Sequence, residues 1–279
     1  MAEEVDRRQF LKAVGAGLFV LGGAPTLLKS QPAKSDAITS IGTLAAASEI
    51  ATYRWADRGK APAGYVKGMA VSYAKCYHDL STGKENVVEM AKAVGEDPAK
   101  DALAHYAEVF QQAGLDNSKD GVDTLRHLFV LMLGLGMRES SGRYCEGRDR
   151  SADNTTAETA EAGLFQTSFN ARRASPLLPK LFTDFQAKPV PSYLDVFKEG
   201  VRAKESDLEN FGAGDGKAFQ EVSKTCPFFA VVFAGIGLRN IRKHWGPINR
   251  RAAQIRPEAD RLFADVQALV DRDKLGPQL

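Results

Sequence analysis

Leu128-Phe129-Val130-Leu131-Met132-Leu133-Gly134-Leu135-Gly136-Met137, followed at once by Arg138-Glu139-Ser140-Ser141-Gly142, is the stretch whose reading decides the fold. Ten consecutive residues without a charge give a helix no face for water, so this one belongs inside the protein. It is also well short of the roughly 20 apolar residues that a bilayer span requires. Charge returns abruptly at Arg138 and Glu139. The pattern therefore sets a carboxylate at the mouth of a buried helix, a way to hold an acid rigidly beside apolar walls.

The neighbouring segments predict more helix. On the N-terminal side, residues 41–57 are rich in Ala and other helix formers and stop before Gly59 and Pro62, with Trp55 to Gly59 reading as a capped helix end. Residues 65–77 and 85–94 carry apolar positions at helical spacing, and residues 100–113 set Leu103, Tyr106, Phe110 and Ala113 along one side. On the C-terminal side, residues 143–161 are polar and predict a loop, which Ala162-Gly163-Leu164-Phe165-Gln166 interrupts. Residues 227–241 predict a second apolar helix, closed by Arg242, Lys243, His244 and Trp245, and residues 257–269 an amphipathic one. No internal repeat and no alternating strand pattern is present, so the expected class is mainly α. The expected organisation is a leader over 1–35 whose end runs into a polar linker, a helical extension over 36–120, and a region over 121–279 that carries the chemistry.

Composition narrows the function. The first 35 residues hold five basic and three acidic side chains; without them 32 basic face 32 acidic residues, so the body is neutral. A neutral body lacks the electrostatic footprint of a nucleic-acid partner. Cys76, Cys145 and Cys226 show no CxxC spacing, and His78, His105, His127 and His244 are scattered, so no metal is expected. Gly134-Leu135-Gly136 lacks the third glycine and the strand context of a phosphate loop, and no cofactor is expected.

Two resemblances sharpen this reading. Asp6-Arg7-Arg8-Gln9-Phe10-Leu11-Lys12, followed by an uncharged run to Leu28, resembles a twin-arginine export signal, with Asp6 where Ser or Thr is preferred. It implies passage through the twin-arginine translocase and a periplasmic or extracellular location, with cleavage near Ala33 or retention as an N-terminal anchor. The long apolar helix ending in Glu139-Ser140, the polar loop, and Gly163-Leu164-Phe165-Gln166 together resemble the lysozyme-like superfamily, in particular goose-type lysozymes and soluble lytic transglycosylases. The likeness covers roughly residues 125–170.

That resemblance implies a lysozyme-like helical domain that cleaves the glycan backbone of peptidoglycan. Glu139 would be the catalytic acid, with Ser140, Gly163, Leu164, Phe165, Gln166 and Ser168 at the substrate. A glycosidic bond needs an acid still protonated near neutral pH, and burial against apolar walls raises a carboxyl pKa to that end. Gly163 would let the backbone approach the sugar, and Gln166 offers it both a donor and an acceptor. Asp149, Asp153, Glu158 and Glu161 are candidates for a second carboxylate. Goose-type lysozymes carry an Asp two residues after the Gln; Ser168 stands there, which favours a single-glutamate mechanism in which the substrate's own N-acetyl group assists. The Ala-Tyr-Asn-Ala-Gly signature of transglycosylases is absent too, so hydrolase and transglycosylase both stay open.

Other readings compete. Glu139 on its own fits a surface ion pair with Arg138 or Arg143. A non-catalytic glycan-binding protein with the same groove, a chitin-type glycosidase, and an exported redox passenger are alternatives. His244-Trp245 fits either an aromatic platform under a sugar or a core anchor. Cys145 and Cys226 flank the loop after Glu139 and the start of the late helix; pairing them would add about 2–4 kcal/mol, and free buried thiols are the alternative.

Overall fold

The computed structural model describes residues 34–150, 155–187 and 191–279; the export-signal reading and Asp153 lie outside the described residues. Helix accounts for 62% of the described residues and strand for 3%, which makes the class mainly α.

Everything is arranged around the apolar stretch. Residues 122–140 form one helix, α7 (Val122–Ser140), and every side chain from Leu128 to Met137 is fully removed from solvent. Preceding it are α1 (Lys34–Ala47), α2 (Glu49–Thr52), α3 (Ala63–Ser81), α4 (Glu85–Met90), α5 (Ala102–His105) and α6 (Ala107–Gln112). Following it are α8 (Leu177–Ala187), α9 (Leu194–Phe197), α10 (Glu205–Leu208), α11 (Gly214–Thr225), α12 (Pro227–Asn240), α13 (Gly246–Asn249) and α14 (Pro257–Asp273). Helices α3, α14, α4, α12 and α13 all pack on α7, so its 128–137 stretch meets no water while its two ends reach the surface. The closest approach is at Gly136, where a Cβ would fall 2.3 Å from the Tyr65 hydroxyl of α3. Tyr65 also donates to the carbonyls of Leu133 (2.8 Å) and Met132 (3.2 Å), joining the two longest helices.

A second cluster, all phenylalanine, unites the later helices. Phe182 of α8, Phe219 of α11, Phe229 and Phe233 of α12, and Phe169 pack with ring centroids 4.9–6.2 Å apart. Tilted and edge-on pairs of this kind add to the area they bury.

Several elements differ from the pattern reading, each for an identifiable reason. Helix α1 begins at Lys34, inside the expected linker, because Ala37, Ile41 and Ala45 make a fully buried stripe at four-residue spacing, and α1 packs on α3. The helix expected through Asp57 gives way to a small antiparallel hairpin, β1 (Arg54–Trp55) and β2 (Gly59–Lys60), with Arg54 opposite Lys60. Trp55 is buried and meets Tyr53 edge-on at 5.2 Å, while Asp57 adopts a left-handed φ of 59° in the turn. Residues 100–113 break into α5 and α6 at Tyr106, whose hydroxyl accepts from the amide of Ala253 at 3.2 Å.

Helix α4 stops at Met90 rather than reaching Val94 because another group takes its last carbonyls. Arg239, buried at the end of α12, donates to the carbonyls of Met90 (3.1 Å), Lys92 (2.6 Å) and Ala93 (2.8 Å), and to both Asp101 oxygens at 2.9–3.0 Å. Both side chains of that ion pair are only 5% exposed. Removing one partner of a buried pair strands the other, at a cost of roughly 3–5 kcal/mol. Arg239→Met is therefore expected to lower unfolding free energy by about that amount in denaturant titrations, with an unchanged slope; a loss below 1 kcal/mol (roughly the worth of a surface pair) would contradict the role.

Candidate active site

Glu139 is the penultimate residue of α7. Its backbone continues a helix buried on all sides, so its carboxyl inherits that low-dielectric setting although the residue itself is partly exposed. Burial, with a smaller contribution from the nearby Glu161 carboxylate, pushes the Glu139 pKa up to about 8. Arg250, Arg58 and Arg138 pull the other way and do not overcome it. Among the described residues no hydrogen bond or ion pair fixes this carboxyl, so the reading of Glu139 as a surface ion-pair partner does not hold.

The arginines reach the site by way of the hairpin and α13. Arg58 donates from its guanidinium to the Arg138 carbonyl (2.7 Å), and Arg138 donates to the Ala56 carbonyl (3.2 Å) while lying 3.6 Å from Asp57. The Ala56 amide in turn donates to Gln254 (3.1 Å), just beyond α13. The hairpin turn is thus latched to the end of α7, beside Glu139. The sequence held a signal for it: Tyr53 and Trp55 alternate with Arg54, and Asp57 precedes a glycine by two. Arg250 left no such signal.

Ser140 connects the acid to the Gly-Leu-Phe-Gln segment. Its hydroxyl donates to the Leu164 carbonyl at 2.8 Å, lies 3.1 Å from the Gly136 carbonyl, and accepts from the Arg143 amide at 3.1 Å. Residues 162–167 form a tight reversal closed by Ala162 against Thr167, with Gln166 at φ 46°. Trp245 donates from Nε1 to the Phe165 carbonyl at 2.9 Å. Both inner carbonyls of the turn are therefore held by side chains.

This arrangement corrects the role expected for the turn. Leu164 and Phe165 are fully buried and Ser168 nearly so. Gly163 has a φ of 73°, and a Cβ there would lie 2.9 Å from the Ser223 carbonyl of α11, so the close approach is to protein rather than to sugar. The Gln166 amide nitrogen donates to the carbonyls of Gly163 (3.1 Å) and Glu146 (3.4 Å), and the Ser168 hydroxyl to Asn170 (2.6 Å). These residues brace Glu139 from behind. Trp245 is buried, with His244 edge-on to it at 4.9 Å, so the pair is a core anchor and not a platform. Burial pushes His244 down to about 4, leaving it neutral.

Of the second-carboxylate candidates among the described residues, Glu161 is the one whose charge acts on Glu139. Glu158 is engaged by Arg172 (2.9 Å) and Arg173 (3.7 Å), and Asp149 is exposed. Glu146, which the sequence did not single out, lies 2.9 Å from Arg143 and is raised by burial. Cys145 and Cys226 are not bonded: all three cysteines are free and buried, and the Cys226 thiol points to the Pro191 carbonyl (3.6 Å). Arg143 instead clamps the loop through its ion pair with Asp207, and Arg148 stacks on Phe211 at 3.9 Å. A cavity of about 440 Å³ beside Phe110 and Leu115 lies apart from these groups and holds no acid–base pair; the chemistry points to Glu139 instead. Among the described residues, no cluster of His, Cys, Asp or Glu is placed to hold a metal, and no single helix is long and apolar enough to cross a membrane.

No family model, no curated protein and no solved structure matches the chain.

The raised carboxyl has a consequence for stability. The folded protein holds the Glu139 proton more tightly than the unfolded chain, so its contribution is fully present below about 4.5 and is lost as pH rises through about 8. Glu139→Gln is expected to be more stable than the parent at pH 9 by up to a few kcal/mol, and nearly equal to it at pH 4. Equal stability at both pH values in thermal unfolding would show that the carboxyl is not raised. Ser140→Ala, which strands the buried Leu164 carbonyl, is expected to cost about 1–3 kcal/mol in the same measurement.

Proposed function

We propose that this protein is an exported, lysozyme-like enzyme that cleaves the glycan backbone of peptidoglycan with Glu139 as its single acid and base. The observation that carries the reading is the carboxyl itself, protonated to about pH 8 at the end of a buried helix. The linkage through Ser140 to Gly163-Leu164-Phe165-Gln166 supports it, since it joins by hydrogen bonds the two segments in which the lysozyme-like resemblance lies.

The chemistry follows from the two protonation states. Neutral Glu139 donates its proton to the glycosidic oxygen as the bond to the anomeric carbon breaks, and the leaving sugar departs with a hydroxyl. Positive charge builds on the sugar ring and is met by the substrate's N-acetyl oxygen. Glu139, now a carboxylate, takes the proton from the incoming oxygen. If that oxygen belongs to water the product has a reducing end; if it is the sugar's own 6-hydroxyl the product is a 1,6-anhydro sugar. Glu161 serves by keeping the proton on Glu139 before reaction, a role that needs proximity but no bond to the sugar. The export-signal resemblance over residues 6–28 is consistent with a substrate outside the cytoplasm.

Purified sacculi incubated with the full chain, with products read by mass spectrometry, test this directly. Muropeptides are expected from the parent, with an anhydro or reducing end naming the branch. Glu139→Gln is expected to reduce release at least about 100-fold. The parent's rate should fall as pH rises through about 8, where the acid loses its proton. Lysis that survives Glu139→Gln would end the catalytic reading, and sacculus binding without products would favour a glycan-binding protein.

A further inference from the structure

On the opposite part of α3 from Tyr65, two lysines converge on one carboxylate oxygen. Lys75 Nζ lies 2.5 Å and Lys84 Nζ 2.8 Å from Asp79 Oδ1. Lys75 and Asp79 sit one helical turn apart, with side chains 10% and 6% exposed. Lys75 is ten residues along α3 from Tyr65, about 15 Å by helical rise, so this corner is distinct from the end of α7 that carries Glu139.

The three charges form one wall of a cavity of about 160 Å³, and the remaining walls are mostly apolar, with Val87, Leu181, Phe185, Phe228 and Val232. Among the described residues neither lysine has a second acid as an ion-pair partner. With both lysines protonated the cluster carries one positive charge in excess; burial pulls the Lys75 pKa down, and the Asp79 carboxylate beside it opposes that shift. Cys76, the next residue after Lys75, adds no compensating charge, because burial pushes its thiol well above the usual range. One further polar group in this corner has no partner: the Tyr193 hydroxyl is buried without a hydrogen bond, its ring meets Phe228 edge-on at 5.4 Å, and it lies within electrostatic reach of Asp79.

We infer that this cavity is a binding site for a small monocarboxylate with an apolar body, its carboxylate on the ammonium groups of Lys84 and Lys75 and its hydrocarbon among the phenylalanine and aliphatic walls. Charge count and shape select the class. A single negative charge neutralises the excess, whereas a multiply charged anion reverses it in a poorly solvated place. An apolar cavity of about 150 Å³ takes a molecule the size of benzene, which sets benzoate as the upper limit and butyrate as a comfortable fit. Lys84, more than half exposed, stands at the entrance, where it can release Asp79 and turn to the ligand without unfolding anything.

The test uses the full chain, with calorimetry and chemical-shift mapping against butyrate and benzoate, their neutral amides, and inorganic phosphate. The carboxylates are expected to bind and to shift resonances around Phe228 and Val232, with amides and phosphate at least tenfold weaker. Lys84→Met, at a largely exposed position, is expected to fold normally and to weaken butyrate about tenfold. Val232→Phe, which fills the cavity, is expected to abolish binding, and its melting curve shows whether it folds. Equal binding of butyrate and butyramide, phosphate binding as tightly as butyrate, or an unchanged affinity in Lys84→Met would each overturn the assignment. Glycan cleavage plays no part in these readouts, so they stand or fall independently of Glu139.

Discussion

A helix packed into the interior must find donors for the carbonyls of its last turn wherever water cannot reach to supply them. In α7 the Gly136, Met137 and Ser140 carbonyls accept from the amides of Gly142, Ser141 and Arg143, Arg58 donates to the Arg138 carbonyl, and the Ser140 hydroxyl ties this turn to the next segment. Ser140 lies near the Gly136 carbonyl within the helix, donates to the Leu164 carbonyl across to the next segment, and accepts the Arg143 amide as the chain leaves. Those contacts fix the direction in which α7 ends, the position of residues 162–167, and the start of the polar loop. The neighbouring Glu139 is placed by the same contacts without taking part in them, so its carboxyl is oriented by its backbone and left chemically free.

The electrostatics of that carboxyl are a contest with a clear winner. Three guanidinium groups near a carboxylate would ordinarily hold it in the charged form. Here Arg138 is drawn toward Asp57 and the Ala56 carbonyl, and Arg58 donates to a backbone carbonyl, so neither forms an ion pair with Glu139. Charge at a distance and partly in water is worth little, whereas desolvation acts on the carboxyl directly. The added repulsion from Glu161 tips the balance further toward the proton. The arginines still matter, because their charge stabilises the carboxylate once the proton has gone.

The parts of this arrangement that were legible in the sequence are those set by local composition. An uncharged ten-residue run can only be a buried helix, and α7 and α12 follow from that alone. Glu139 could be picked out because charge resumes there. What the sequence hid depends on partners far along the chain. Nothing near Met90 announces that Arg239, some 150 residues later, will take its carbonyl and end α4. Gly163 and Gln166 looked like groove residues because their chemistry suits a sugar, yet Ser223 and the Glu146 carbonyl occupy those positions. A short segment's residue types state what it could bind, while its neighbours decide what it does bind.

The loop that follows Glu139 shows the same division between covalent and electrostatic restraint. Instead of a disulfide, it is held by Arg143 on Asp207, Arg150 on Glu209 and Arg148 over Phe211, all reaching residues 207–211. That segment is fastened from beneath by Lys224, whose buried ammonium donates to the carbonyls of Asp207 (2.9 Å) and Glu209 (2.6 Å). The exposed Arg150–Glu209 pair is individually weak and screened by salt, whereas Arg143 holds a buried Asp207 and is the firmer of the two. The turn behind Glu139 is held by hydrogen bonds between buried groups, and the described part of the segment in front of it by ion pairs and an arginine on an aromatic ring.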